Sequence, residues 1–294
     1  MTNDATTPPQ PRASSLCLFL VLAGIAIATM QLSGGLFPGD RGVAVVGRLL
    51  CSIAALLLLI AGSRKLLQRD QLATDRLGLA LTVAHAKAFV FGVALAFLLI
   101  LALLGAFYLF TPFELLPGPL PATAIPVAAL NYFAGNFGEE LVFRGYLLIA
   151  LTQWIGTTRA LWLLAVPFGL FHFPGLDAVA LLKMMLTTGA MHFVFAYAYL
   201  ATRSLWAAVA LHAVCNTLLH KVVGVGEPAT LSVHFLRELP GSVDAPFLAF
   251  FVTASAFALL LSRLPQTRGG MAWLEAASAR KPPRTRKSAN WSLS

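Results

Sequence analysis

The segment NFGEELVFRGYLL, residues 136–148, places two adjacent carboxylates and an arginine in an otherwise apolar stretch. Glu140 and Arg144 are four residues apart, so on a helix they share one face and can form an ion pair. Glu139 lies about 100° around that helix from Glu140 and can point elsewhere. The spacing therefore predicts that one carboxylate is neutralised by the arginine while the other stays available for chemistry.

Two later stretches carry groups that could complete a hydrolytic site. FGLFH places His172 one turn after Phe168, and LHAVCN places His212 and Asn216 one turn apart on a single helix face. Glu139 and His172 could hold and deprotonate a water as a general base. His212 and Asn216 could donate hydrogen bonds to the oxyanion that forms when this water attacks an amide. The combination predicts hydrolysis of a peptide bond.

The elements that must position these groups are transmembrane helices. The 294 residues are 58% hydrophobic and only 11% charged, with a mean hydropathy of +0.79, whereas soluble domains average about 25% charged residues. Apolar runs of about 18 residues or more are typical of membrane-spanning helices. We predict an all-α polytopic helical bundle with the active site in its core and eight spans, at 15–35, 43–62, 80–110, 123–150, 160–173, 178–200, 204–220 and 245–262.

Ionisable groups are costly inside such spans, at about 2.5–3.5 kcal/mol each on insertion scales. Of the twelve acidic residues, only Glu139 and Glu140 fall within a predicted span, which makes them candidates for function. The alternative is structural, because polar side chains also hold transmembrane helices together.

Basic residues predict the orientation in the membrane. One group lies between spans two and three and another follows the last span, and six spans separate the two groups. Both therefore face the cytoplasm under the positive-inside rule, with both termini cytoplasmic in a bacterial inner membrane. The net charge of +9 lies mostly in these segments, which favours contact with anionic lipid and argues against nucleic-acid binding. The tail ARKPPRTRKSANWSLS is expected to be disordered.

This topology raises a conflict about depth. Span four would run from outside to inside and place Glu139 on the cytoplasmic side of the bilayer centre, whereas His172 ends span five nearer the outside. The two groups can meet only if the short fifth span is tilted or re-entrant. The side of substrate access stays open on the sequence alone.

The stretches EELVFR, FGLFH and HAVCN, in this order, resemble the CPBP family of intramembrane proteases, which includes type II CAAX prenyl endopeptidases and bacterial Abi-like proteins. The family pattern is EExxxR, then FxxxH, then HxxxN or HxxxD, and all three occur without a substitution. The resemblance covers a core at 123–220. It leaves N-terminal spans of unassigned role at 1–122, a loop and last span at 221–262, and a basic cytoplasmic tail at 263–294.

The resemblance implies that Glu139 activates the water beside His172, and that His212 and Asn216 stabilise the oxyanion. Structural support would come from Glu140, Arg144 and Phe168. It also implies a substrate that is a membrane protein or a lipidated or other peptide, presented in or beside the lipid bilayer.

A catalytic metal is a separate question. Glu139, His172 and His212 would form a two-histidine, one-carboxylate set of the kind that binds zinc. The HExxH pattern of the common zinc proteases is absent from the sequence. We expect no catalytic metal or other cofactor, with zinc left as the alternative.

Two further functions are compatible with the same residues. One is a non-proteolytic membrane scaffold or bacteriocin-immunity-type protein of the same family. The other is a proton-coupled transporter, which would also use intramembrane Glu and His. Transporters commonly show inverted repeats with paired broken helices, and no repeat relates the two halves of this sequence.

Overall fold

The computed structural model describes residues 10–39, 42–172, 175, 177–224, 228–236 and 245–276. Within these residues the chain is a helical bundle, as predicted. The helices are α1 (Ala13–Leu36), α2 (Val43–Arg69), α3 (Val83–Phe110), α4 (Ile125–Glu140), α5 (Leu148–Ile155), α6 (Thr157–Phe171), α7 (Ala178–Thr202), α8 (Leu205–Thr217), α9 (Ala245–Arg263) and α10 (Pro265–Glu275). Short 3-10 turns cover Thr74–Leu77 and Ala122–Ala124, and π-helical segments cover Leu141–Leu147 and Leu218–Val222.

Six of these helical stretches are long and apolar enough to cross a membrane, judged by length and composition within the described residues. They correspond to predicted spans one, two, three, six, seven and eight. The fifth predicted span is a shorter apolar helix, Thr157–Phe171. The fourth is a helical run from Ile125 to Ile155 in which α4, the π-helical segment Leu141–Leu147 and α5 follow one another.

The outward surfaces of the long helices are apolar, which is the pattern of lipid-facing spans. Large exposed side chains on α1, α2 and α3 include Leu36, Val43 and Leu109, which are 70%, 81% and 86% exposed. Helices whose outer faces contact water rarely carry so many large exposed apolar side chains. The feature agrees with an integral membrane protein.

Two structural features were not predicted. A three-stranded sheet with the order β1-β3-β2 is formed by β1 (Phe113–Pro117), β2 (Val223–Gly224) and β3 (Leu231–Phe235), with β1 antiparallel and β2 parallel to β3. Part of the predicted basic tail forms α10, which packs against α7 and α5. Residues 277–294, which hold the whole stretch predicted to be disordered, lie outside the described residues.

The tight packing of α3 against α8 brings two backbones close together. Gly92 of α3 has no room for a side chain, because a Cβ atom there would clash with the carbonyl oxygen of Ala207 on α8. Small residues at such positions let transmembrane helices approach closely. Since α8 carries His212, this contact also sets the position of one predicted site residue.

We therefore expect Gly92→Leu to push α3 away from α8 and to lower both the amount of protein in the membrane and its thermal unfolding temperature in detergent. Gly105→Leu is the matched control, because Gly105 lies on the same helix, is exposed and has nothing within 4 Å of a built Cβ. Equal behaviour of the two variants would contradict close α3–α8 packing.

Candidate functional site

The buried ion pair predicted from the sequence is present. Arg144 Nη1 donates to Glu140 Oε1 at 3.2 Å, and both side chains are completely buried. Glu140 ends α4, and Arg144 lies within the π-helical segment Leu141–Leu147. Gly145 in that segment departs from helical geometry, with φ −78° and ψ −118°. Segments of this kind are often found at functional sites.

Glu139 and His172 meet across an antiparallel helical hairpin. The chain turns at Gly156, whose φ of 80° ends α5 and begins α6. Glu139 lies 17 residues before this glycine and His172 lies 16 residues after it, so the two arms place them at the same level. Phe143 and Phe168, at ring-centroid distance 4.9 Å, are likewise nearly equidistant from the turn.

The predicted difference in depth between Glu139 and His172 is therefore wrong. The prediction ended the fourth span at residue 150, whereas its helix continues to Ile155. The longer helix moves Glu139 away from the turn by several residues and brings it level with His172.

The end of α6 fixes the orientation of the His172 ring. The His172 backbone N–H donates to Gly169 O at 3.2 Å instead of to Phe168 O, which tightens the last turn. The freed Phe168 carbonyl lies 2.9 Å from His172 Nδ1. Because a carbonyl oxygen only accepts, Nδ1 carries the proton, and Nε2 faces Glu139 Oε2 at 3.7 Å.

His212 is fixed in a similar way by a carboxylate and an aromatic ring. Its Nδ1 lies 2.8 Å from Glu140 Oε1, and its ring stacks on Phe195 of α7 at a centroid distance of 4.2 Å. With Nδ1–H donating to Glu140, Nε2 points toward Glu139 Oε2 at 4.0 Å. Glu140 thus holds two partners, Arg144 and His212, and only the first was predicted.

Three ligand atoms consequently converge on one point. Among the described residues, Glu139, His172 and His212 form a group whose ligand atoms all lie within 4.8 Å of one another. In the neutral tautomers set by the Nδ1 contacts, both Nε2 atoms are acceptors, as is the carboxylate. Glu139 Oε2 is buried without a hydrogen-bond partner in the described part of the chain. Three converging acceptors suit a bound water or a cation.

The geometry also fits zinc. Tetrahedral ligands with Zn–N and Zn–O distances of about 2.0–2.2 Å lie roughly 3.3–3.6 Å apart, close to the observed 3.7 and 4.0 Å contacts. Metal-binding histidines usually donate the other ring N–H to a carboxylate or a backbone carbonyl. Glu140 and Phe168 supply those acceptors here. The residues therefore fit a metal as well as a water.

Phe168 and Phe195 form an aromatic surround for the buried cation. The guanidinium carbon of Arg144 lies 4.4 Å from the centroid of Phe168 and 5.4 Å from that of Phe195. Arg144 Nη2 also donates to the carbonyl oxygen of His192 at 3.0 Å. Four helical elements thus contribute to one buried charge, and Phe168, predicted as structural support, lies in contact with its cation.

Phe195 and the His192 carbonyl were not predicted as parts of the site. Nothing in the sequence distinguishes a phenylalanine that lines the site from one in the ordinary core of an apolar helix. A backbone carbonyl is present in every residue, so its role as an acceptor leaves no sequence signal. A second missed feature is buried Asp70, which accepts from Tyr146 Oη at 2.9 Å and from Ser15 Oγ at 2.8 Å. These bonds tie α1 and the end of α2 to the helical run that carries the glutamates.

A cavity of about 650 Å³ adjoins the converging side chains. His172, His212 and Asn216 lie on its wall. The carboxamide of Asn216 makes no hydrogen bond to another described residue, so it is available to a ligand. The remaining wall is mostly apolar and comes from α3, α7, α8 with its π-helical extension, and α9, for example Leu103, Met191, Leu219 and Phe250. Pockets with a few polar groups in an apolar lining are typical binding sites.

The fold and the site define a polytopic membrane protein with a buried glutamate–histidine centre. Residues 121–218 match the family model described as Type II CAAX prenyl endopeptidase Rce1-like. Over this segment the chain is similar to the CAAX/CPBP family of intramembrane proteases, which is the resemblance that its three motifs predicted. No curated protein matches the chain.

The buried pair predicts a stability defect that a second substitution should relieve. Arg144→Ala leaves Glu140 buried without its cation, and removal of one partner of a buried pair costs about 3–5 kcal/mol. We expect a clear fall in the unfolding temperature and in membrane abundance. Adding Glu140→Gln should recover part of the loss, because the uncompensated charge is gone.

Arg159→Ala is the control, since Arg159 is an exposed arginine on α6 and its removal should leave the unfolding temperature nearly unchanged. A double variant no more stable than Arg144→Ala would contradict the assigned pairing.

Proposed function

We propose that the chain is an intramembrane endopeptidase that hydrolyses a peptide bond in or beside the bilayer, with Glu139 as the base that activates water. The observation that carries the proposal is the convergence of Glu139 Oε2 with the Nε2 atoms of His172 and His212 at the wall of an apolar cavity. A water at that point can donate one hydrogen to the carboxylate and another to an imidazole.

In the proposed reaction the water oxygen attacks the carbonyl carbon of the scissile bond while Glu139 takes the proton. The carbonyl oxygen becomes an oxyanion, and the tetrahedral intermediate then breaks its C–N bond. Glu139 returns the proton to the leaving amine, so the carboxylate is regenerated. His172, held by the Phe168 carbonyl, keeps the water in line through Nε2.

Asn216 and His212 are proposed to stabilise the oxyanion. The Asn216 carboxamide can donate in any protonation state. His212 can donate from Nε2 only as an imidazolium, because Nδ1 already donates to Glu140. The sequence-based assignment of His212 as an oxyanion donor therefore depends on the Glu140 contact, which it did not include.

Glu139, His172 and His212 would also be the residues that hold a zinc ion, which would polarise the carbonyl and lower the pKa of its water. We propose the metal-free route, in which these side chains act directly on the water.

The first test compares peptide termini in native membranes from the wild type, Glu139→Gln, and a chromosomal deletion. Specific termini that disappear equally in the last two strains are expected, because the charge-neutral variant removes the base but leaves the shape. His172→Ala and His212→Ala should lose the same termini by at least about a hundredfold, the low end for a general base or an oxyanion donor.

Asp75→Asn is the control for the loss of a carboxylate. Asp75 has a 70% exposed side chain, pairs with Arg76 and is not part of the cavity wall. The peptide termini in membranes of the Asp75→Asn strain should therefore match those of the wild type. Unchanged termini in Glu139→Gln, with a phenotype in the deletion strain alone, would refute proteolysis and favour the scaffold or immunity-type function.

A second test addresses the metal. Purified protein should retain Glu139-dependent cleavage of a substrate peptide identified from the lost termini after prolonged treatment with a zinc chelator. Elemental analysis of the purified protein should give well under one zinc per chain. Activity that is lost on chelation and restored by zinc, together with a loss of bound zinc in His212→Ala, would show instead that the three side chains are metal ligands.

A further inference from the structure

The two ends of the bundle differ in charge. At the end where α2 and α7 finish and α3 starts, here called the basic end, the Arg76 guanidinium lies 4.6 Å from the Trp273 ring of α10. Arg203 donates to Gly269 O of α10 at 3.5 Å. The described Lys and Arg residues at the basic end are Arg12, Arg64, Lys65, Arg69, Arg76, Lys87, Arg159, Arg203, Arg263 and Arg268; those toward the opposite end are Arg48, Lys183 and Lys221.

The cavity lies in the half of the bundle away from the basic end. It is lined by the second half of α3, by α7 from Ala180 to Phe195, and by α8 and its π-helical extension from His212 to His220. On α9 it is lined by the first half, from Pro246 to Ala254. The stretches of α3, α8 and α9 lie in the parts of their helices nearer the opposite end, where the three-stranded sheet also lies, and the α7 stretch begins near that end and passes the middle of the helix.

Packed core closes the route from the basic end to the site. Between Ser204 and His212, the first turns of α8 are buried, with Leu205, Ala207, Ala208, Val209, Ala210 and Leu211 at most 1% exposed. The facing residues of α7, Val194, Ala196, Ala198, Tyr199 and Leu200, are completely buried. Beyond His212 the exposure rises, and Leu218–Val222 are all half-buried. Within the described residues, packed turns of α7 and α8 thus lie between the basic end and the site, and the less buried stretch lies toward the opposite end.

The hairpin of α5 and α6 also places the site in the half of the bundle away from the basic end. Its turn at Gly156 lies at the basic end, because Gln153 and Thr157 hydrogen-bond to Leu274 and Glu275 of α10. Sixteen residues of helix separate His172 from this turn, or roughly 24 Å at 1.5 Å per residue. The hydrocarbon core is about 30 Å thick, so the pair lies past its midpoint as seen from the basic end.

Basic ends of membrane proteins face the cytoplasm. From these observations we infer that the cavity opens toward the extracytoplasmic side, and that the substrate is a membrane-anchored segment of an exported or integral membrane protein, cut in the outer half of the bilayer. This inference rests on the proposed function. It argues against a C-terminally lipidated protein presented from the cytoplasm, which would have to cross the packed turns of α8 to reach Glu139.

The orientation is tested with single cysteines in a full-length chain whose Cys17, Cys51 and Cys215 are replaced by serine. Glu114→Cys reports the end with the sheet, because Glu114 is exposed on β1. Thr158→Cys reports the basic end, because Thr158 is exposed beside the hairpin turn. Met184→Cys reports the cavity wall. Each is treated in intact cells, then after permeabilisation, with a small thiol reagent that cannot cross membranes.

In intact cells we expect Glu114→Cys and Met184→Cys to be labelled at least about tenfold faster than Thr158→Cys, which should react only after permeabilisation. Labelling of Thr158→Cys in intact cells with protection of Glu114→Cys would overturn the orientation. Labelling of Met184→Cys only after permeabilisation, with Glu114→Cys accessible, would overturn the outward opening of the cavity.

The termini lost in Glu139→Gln then test the substrate class separately. Cleavage sites in the outer half of membrane anchors are the expected result. Sites next to a lipidated cysteine near a cytoplasmic C-terminus would overturn the inferred substrate while the protease assignment stands. The absence of any lost site would refute the proposed function itself, and the cysteine data would still report which way the cavity faces.

Discussion

The buried carboxylate of Glu140 is the interaction on which the rest of the site depends. One oxygen, Oε1, receives both Arg144 and His212, and Arg144 reaches the His192 carbonyl and the Phe168 ring. The α4–α5 run, α6, α7 and α8 are thereby joined through one charge cluster. A charge in an apolar bundle is costly unless it is fully paired. The observed arrangement of these four elements pairs it and points His212 Nε2 at Glu139.

Local departures from regular helix place the remaining groups. The π-helical segment after Glu140 and the tightened last turn of α6 each change which backbone groups are paired. At the end of α6 the change frees a carbonyl for His172 and so selects its tautomer. The backbone, rather than an additional acidic side chain, orients this histidine.

The membrane class, the helical architecture and the Glu140–Arg144 pair could be predicted because each depends on composition or on spacing within one helix. The convergence of Glu139 with His172 could be proposed from chemistry, but its depth was predicted wrongly, since a few residues at the end of α5 decide the register of the hairpin. The Glu140–His212 contact joins residues 72 positions apart, and no periodicity within either helix encodes it. The short sheet and α10 depend on packing against the bundle, which local sequence signals do not reveal.

The two nearly equal arms of the helical hairpin, from Glu139 to Gly156 and from Gly156 to His172, have a consequence for selectivity. The level of the reacting groups is set by a length of helix measured from Gly156, not by a side chain that recognises a particular residue. Under the proposed function, the cleaved bond is selected by its depth: it is the bond that a membrane-anchored segment presents at a fixed distance from the membrane surface. Segments of unrelated sequence are then cleaved if they are extended at that depth. A segment of the same sequence that is displaced by a few residues along the bilayer normal is not cleaved at the same bond.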